Sequence, residues 1–144
     1  MQLNLRTDYA LRTLMALAAT RELVSIDWIA ERYAISRNHL AKVAQDLAAA
    51  GLVETQRGRG GGLRLARPAE EINVGAVVRQ LEHFEGFVAC MGGKAECTID
   101  GACGLKPALS GALEAFLGHL DGYTLADITG SRMSLLERLA PQAA

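Results

Sequence analysis

Two short capped helices in tandem, a glycine-rich turn between two short strand-like segments, and a long apolar-striped helix near the carboxyl end predict a mainly α-helical fold with a small β-wing. The expected order is a winged helix-turn-helix domain, then a loop holding every cysteine of the chain, then the long helix. At 144 residues the chain is one domain-sized unit, or one small domain with an appended oligomerisation segment.

The first helix follows Thr7, a candidate N-cap, and runs from Asp8 to Ala19 with Leu11, Leu14, Met15 and Ala18 at helical spacing. Asp8 falls in its first turn, where the helix dipole favours a carboxylate, and Arg12 stands one turn on, in reach of an ion pair. Ser25 caps a second helix over 26–33. After Ala34-Ile35, Ser36 caps a third over 37–49, which Gly51 ends. Ile29, Ile35, Leu40, Val43 and Leu47 are available to lock these two together as a helix-turn-helix. With Leu40, Val43 and Leu47 turned inward, Ser36, Arg37, Asn38, His39 and Lys42 remain at the exposed start of the third helix. Arg pairs with guanine in a bidentate bond, Asn does so with adenine, and Lys holds phosphate, so this face is a candidate reader of double-stranded DNA. A solvated polar face is the plain alternative.

Leu52–Thr55 alternates like a strand, 56–62 reads as a turn, and Leu63–Ala66 reads as a second strand, which makes 52–66 a wing. Arg57 and Arg59 lie at its tip among glycines that let backbone approach a phosphate or the minor groove. A nucleotide-binding glycine loop does not fit, because Gly58, Gly60 and Gly62 lead into a strand rather than opening a helix. Asn73 caps a helix through Val74, Val77, Val78 and Leu81 that packs back on the winged domain. Pro107 starts the long helix, with Leu109, Leu113, Phe116, Leu117 and Leu120 on one stripe that calls for a partner helix. A two-fold homodimer built there matches the two half-sites of a palindromic operator. Thr124-Leu-Ala-Asp127 has the form of a capping box with Asp for Glu, and the tail 141–144 is expected to fray. The chain thus divides into 1–82, the winged helix-turn-helix domain, 83–105, the cysteine loop, and 106–144, the dimerisation helix and a C-terminal helix.

Charge separates the halves. Residues 1–67 hold ten Lys/Arg against six Asp/Glu, a net of +4, and residues 68–144 hold five against ten, a net of −5. The basic half suits a polyanion, and the acidic half faces away from it. No apolar run approaches the roughly 18 residues of a membrane span, and the first residues lack a signal-peptide pattern, so no membrane partner and a cytoplasmic location are expected. There thiols stay reduced, and three cysteines, an odd number, argue against a disulfide framework.

Cys90, Cys97 and Cys103 lie in one short loop, with six residues in the first gap and five in the second. Those gaps are wider than the two to four residues of structural zinc pairs. Zinc would need His83 or His119 as a fourth ligand, and from spacing alone three unliganded buried thiols are as good a reading as an iron-sulfur cluster. Gly92, Gly93, Gly101 and Gly104 favour a loop that wraps an inorganic core. The chain is not expected to be an enzyme; a redox carrier or oxidoreductase subunit is the alternative from another class, and the winged helix argues against the carrier.

The Thr7-Asp8-Tyr9 opening, Ser36–His39, Gly61–Leu65, the three cysteines, Leu105–Ser110 and Asp121–Asp127 together resemble the nitric-oxide-sensing repressor family of the iron-sulfur winged-helix regulators, over residues 1 to about 130. That resemblance implies a homodimer on operator DNA, with an iron-sulfur cluster held by Cys90, Cys97 and Cys103 and by Asp8 of the other subunit. It also implies release of DNA when nitric oxide attacks the cluster; the three cysteines could hold a four-iron or a two-iron cluster, with four-iron slightly preferred. A carboxylate is a hard, weakly held ligand, which makes its iron the point of attack. The alternative is an iron or iron-sulfur status regulator of the IscR type. Such proteins carry a histidine three residues past the last cysteine, and here that place is Lys106.

Overall fold

The structure is a computed structural model that describes residues 2–92 and 97–140; the tail at 141–144 and Gly93 of the loop lie outside it. Its helices are α1 (Leu5–Thr20), α2 (Ile26–Tyr33), α3 (Arg37–Ala49), α4 (Val74–Leu81), α5 (Leu105–Asp121), α6 (Leu125–Ile128) and α7 (Arg132–Leu139), with β1 (Val53–Gln56) and β2 (Gly62–Leu65) forming the wing. Among the described residues no helix is long and apolar enough to cross a membrane.

The core is built around α1. Ala10, Leu14, Ala16, Leu17, Ala18 and Ala19 are buried along it, and α3, α4, α6, α7 and β2 all pack on it. Small residues on most of one helix let five neighbours approach a single axis, and Leu14, Leu17, Ile29, Leu47, Ile72, Val77 and Leu125 fill the space between them. The cap of α1 is Asn4, not Thr7: Asn4 Oδ1 accepts from Thr7 N at 2.9 Å, and Thr7 is itself buried one turn into the helix. Asn outranks Thr as a cap, and with the helix starting at Leu5 the burial pattern begins at Thr7 rather than after it.

Helices α2 and α3 begin and end where their caps place them. Ser25 Oγ accepts from Trp28 N, and Ser36 Oγ accepts from His39 N. Past α3, Gly51 takes φ +70°, with Gly51 N donating to Ala48 O and Leu52 N to Leu47 O. This is a Schellman closure, and the buried pair Leu47 and Leu52 supplies its hydrophobic contact.

The wing sits one residue later in its first strand and one earlier in its second than the alternation suggests, with Val53 opposite Leu65 and Gln56 opposite Gly62. The hairpin has a third neighbour the pattern does not show. Val24, just before α2, exchanges two backbone bonds with Leu63, at 2.9 and 2.7 Å. Gly61 and Gly62 are small because of the protein's own backbone. A Cβ on Gly61 would stand 2.8 Å from Gly58 O, and one on Gly62 2.6 Å from the Val24 carbonyl carbon.

Helix α5 starts at Leu105, with Pro107 as its third residue, where a missing N–H costs no intrahelical bond. It packs on α4 of the same chain. Leu117 is its one buried residue, while Leu109, Leu113, Phe116 and Leu120 are half-buried and Ala108, Gly111, Ala112, Ala115 and Gly118 are exposed. Gly75 of α4 lies against Asp121 at the end of α5, and Arg79 grips both Asp121 oxygens. That grip lowers the Asp121 pKa from its ordinary carboxylate value. Thr124 and Asp127 form the expected capping box, and the backbone and hydroxyl donors of Thr124 lower the Asp127 pKa. Past α6, α7 returns to α1, where Arg132 Nε caps Ala19 O at 2.7 Å.

Candidate nucleic-acid interface and metal loop

Arg37, Asn38, His39 and Lys42 are exposed together at the start of α3, while Leu40, Val43, Ala44 and Leu47 are buried beneath. Ser36 is exposed as well; its Oγ accepts the helix-cap bond, which leaves its O–H as a donor. Arg37 Nε reaches Asp27 Oδ1 of α2 at 2.5 Å, with both side chains about two-thirds exposed. The pair ties the guanidinium of α3 to α2 and, among the described residues, leaves its other nitrogens without a protein acceptor. Gln45, one turn past Lys42, is exposed on the same side and was missed by a reading that stopped at the first two turns; the 3.6-residue period alone would have found it. Arg57 and Arg59 are exposed at the wing tip, where Gly58 and Gly60 take φ of +92° and +73°.

The first turn of α1 touches this face twice. Arg6 Nε bonds Asp46 Oδ2 of α3 at 2.5 Å. The Tyr9 ring lies 6.4 Å from the His39 ring between centroids. Between them on α1, Asp8 Oδ1 accepts from Arg12 Nε at 3.0 Å, the pair expected from the sequence. That bond raises the Arg12 pKa above its ordinary value, and burial raises that of Tyr33 nearby although the Arg12 charge opposes it.

The cysteine loop joins the same region through Glu82. This residue caps α4 and receives both Asn4 N and Asn4 Nδ2, at 2.8 and 3.0 Å, so the segment entering the loop is pinned to the amino end of α1. Two 3-10 turns follow, Phe84–Gly86 and Ala89–Met91. Cys90 is half-buried in the second turn, Cys97 is exposed at the start of a turn closed by Asp100 N to Cys97 O at 3.1 Å, and Cys103 is half-buried just before α5. All three are free thiols. Among the described residues of the single chain no group of three or more His, Cys, Asp or Glu is gathered closely enough to hold a metal ion. The donor set nonetheless suits a thiolate-ligated iron-sulfur group, because three soft ligands share one segment with no disulfide among them. His119 does not suit zinc beside Cys103: fourteen residues of helix separate it from Leu105, a rise of roughly 21 Å, and its ring lies against Tyr123. Lys106, at the position of the IscR histidine, reaches Asp100 at 3.4 Å.

A family model described as "Rrf2: Iron-dependent Transcriptional regulator" matches residues 3–131. A curated relative, the HTH-type transcriptional regulator NsrR of Bacillus subtilis (strain 168), is 48% identical over 142 residues, spanning 96% of this chain and 97% of the relative. Among solved structures, Staphylococcus aureus CymR superposes with a TM-score of 0.71 at 27% identity, covering 88% of this chain and 96% of CymR. T. potens IscR gives 0.70 at 28%, covering 99% and 94%.

Proposed function

The chain belongs to the Rrf2 family of transcriptional regulators, and from that premise we propose that it is a homodimeric, cytoplasmic repressor that senses nitric oxide through an iron-sulfur cluster. It is a DNA-binding regulator and not an enzyme. The observation that carries the finer reading is the set of three free thiols on the one segment that Glu82 ties to α1, the helix that touches the reading face.

Cys90, Cys97 and Cys103 would hold the cluster, four-iron in preference to two-iron, with Asp8 of the other subunit completing it. The group supplies an iron whose carboxylate ligand is weaker than thiolate and so open to a small molecule such as nitric oxide. The chain's own residues do the rest. Asp8 must leave Arg12 to serve as a ligand, and it stands between Arg6 and Tyr9, which touch Asp46 and His39 of α3. A change in what Asp8 binds therefore bears on the helix that carries Arg37, Asn38, His39 and Lys42, with the same two-state element read from both ends. Arg37 and Asn38 read bases, Lys42 holds phosphate, and Arg57 and Arg59 follow the backbone or minor groove from the wing. The small exposed residues of α5, Ala108 to Gly118, allow a second copy's helix to approach closely and set two reading heads for two half-sites.

The test is anaerobic purification with iron, sulfide and absorbance measured, followed by nitric oxide titration while operator binding is read. The reading expects iron and sulfide in the protein, tight operator binding, and loss of binding as nitric oxide is added. Metal-free protein that binds its operator as tightly as the loaded form would refute it. The iron-status reading, suggested by the family description and the IscR likeness, predicts relief of repression on iron limitation and not on nitric oxide addition.

A further inference from the structure

The cations of the described residues fall into two classes. Arg6, Arg12, Arg32, Arg37, Arg64, Arg79 and Lys106 each stand within 4.0 Å of a carboxylate. Among the described residues Lys42, Arg57 and Arg59, on the reading face and wing, have no such partner, as expected of groups that meet an external anion, and neither has Arg138 of α7. Three more unpaired guanidinium groups, Arg21, Arg67 and Arg132, surround a single groove of about 780 Å³ at the base of the wing. The groove runs between the carboxyl end of α1, the exit of β2 and the start of α7.

Leu65 and Ala126 place apolar surface beside these arginines. Arg21 is fixed at the α1 terminus with φ +58°, and Arg132 is anchored through its Nε to Ala19 O, which leaves its terminal nitrogens as donors. Glu22 and Glu70 also line the groove, and neither lies within ion-pair distance of these arginines. A cleft of this size lined by apolar and cationic side chains together has the form of a site for an amphiphilic small molecule, and guanidinium forks select carboxylate and phosphate. A duplex backbone makes no use of the apolar surface of Leu65 and Ala126.

We propose that this groove binds a small organic anion, a carboxylate or phosphate carried on an apolar body. Because β2 forms one wall and the α6–α7 junction another, an occupant braces the wing against the body of the domain.

Phenyl phosphate, titrated into the full-length nitrogen-15-labelled protein, supplies both features in one probe, with phenol and inorganic phosphate as its halves. We expect saturable amide shifts at Ala66, Ala69 and Gly130 with a Kd of roughly millimolar order, as befits so small a ligand. Phenol should give none, inorganic phosphate should bind at least about tenfold more weakly, and Arg21→Gln/Arg67→Gln should weaken phenyl phosphate by about tenfold. No saturation by about 20 mM, equal shifts from phenol, or unchanged binding in the double variant would each overturn the proposal. So would a double variant whose only effect is to lower the salt slope of operator binding by about two, since the arginines would then be contacts to the DNA backbone.

Discussion

Replacing Gly62 by alanine should loosen the wing from the domain, and the size of the effect follows from what surrounds the new methyl group. It would lie 2.6 Å from the Val24 carbonyl carbon, closer still to the carbonyl oxygen, and 3.0 Å from Ser25 N. All three are backbone atoms, so no side-chain rotation relieves the overlap. Relief requires β2 to move away from Val24, which breaks the bonds Val24 N to Leu63 O and Leu63 N to Val24 O. Two backbone bonds at a net 0.5–1.5 kcal/mol each amount to about 1–3 kcal/mol. Keeping the bonds and absorbing the strain costs a similar ~1–3 kcal/mol, so either route gives the same range, and the two are not additive. For a chain of this length that lowers Tm by roughly 4–12 °C, read by far-ultraviolet circular dichroism at matched protein concentration. Displacement of the wing should also weaken binding to operator and random DNA alike. Gly60→Asn is the control. Its φ of +73° is one that asparagine adopts and nothing lies within 4 Å of a Cβ there, so its stability should stay within about 0.5 kcal/mol of the parent. A Gly62→Ala protein that melts within a degree or so of the parent would show that the Val24 contact does not hold the wing.

Arg59→Ala should lower affinity across DNA sequences and reduce the salt slope by about one, whereas Arg37→Ala should cost about 1–3 kcal/mol on operator and little on random DNA; equal losses on both for Arg37→Ala would count against base reading. Ser36→Ala should cost about 1 kcal/mol of stability through the lost bond to His39 N, measured by urea unfolding, and an unchanged midpoint would mean the cap is dispensable. Asp121, its pKa lowered by Arg79, adds stability above the usual aspartate pKa and loses it as pH falls through its lowered value. The stability gap between parent and Asp121→Asn should therefore narrow as pH falls below about 5, and a gap that stays constant on acidification would exclude the linkage.

Much of this architecture was legible because its determinants are local. Ser25, Ser36, Asn73 and Gly51 satisfy backbone groups within three residues of themselves, so the starts of α2, α3 and α4 and the end of α3 follow from spacing alone. The inward Leu40, Val43 and Leu47 and the outward Arg37, Asn38, His39 and Lys42 follow from the period of one helix, and the Asp8–Arg12 pair from a single turn. Even Asn4 as the cap of α1 was within reach, had propensity been weighed over the apolar pattern.

Contacts between residues far apart in the chain were decided only in three dimensions. Neither partner carries a local mark of the other in Val24 with Leu63, Asp27 with Arg37, Arg6 with Asp46, Asn4 with Glu82, or Arg132 with Ala19. The glycines of the wing make the point most sharply. As a sequence they suggest room for a phosphate to approach, but in the fold Gly61 and Gly62 leave room for the protein's own backbone, because which surface a hydrogen-only residue faces is set by packing and not by its neighbours in the chain. The same holds for the cysteine segment: its three thiols and their chemistry are written in the sequence, whereas its attachment to α1 through Glu82, and through α1 to the reading helix, is a property of the folded chain alone.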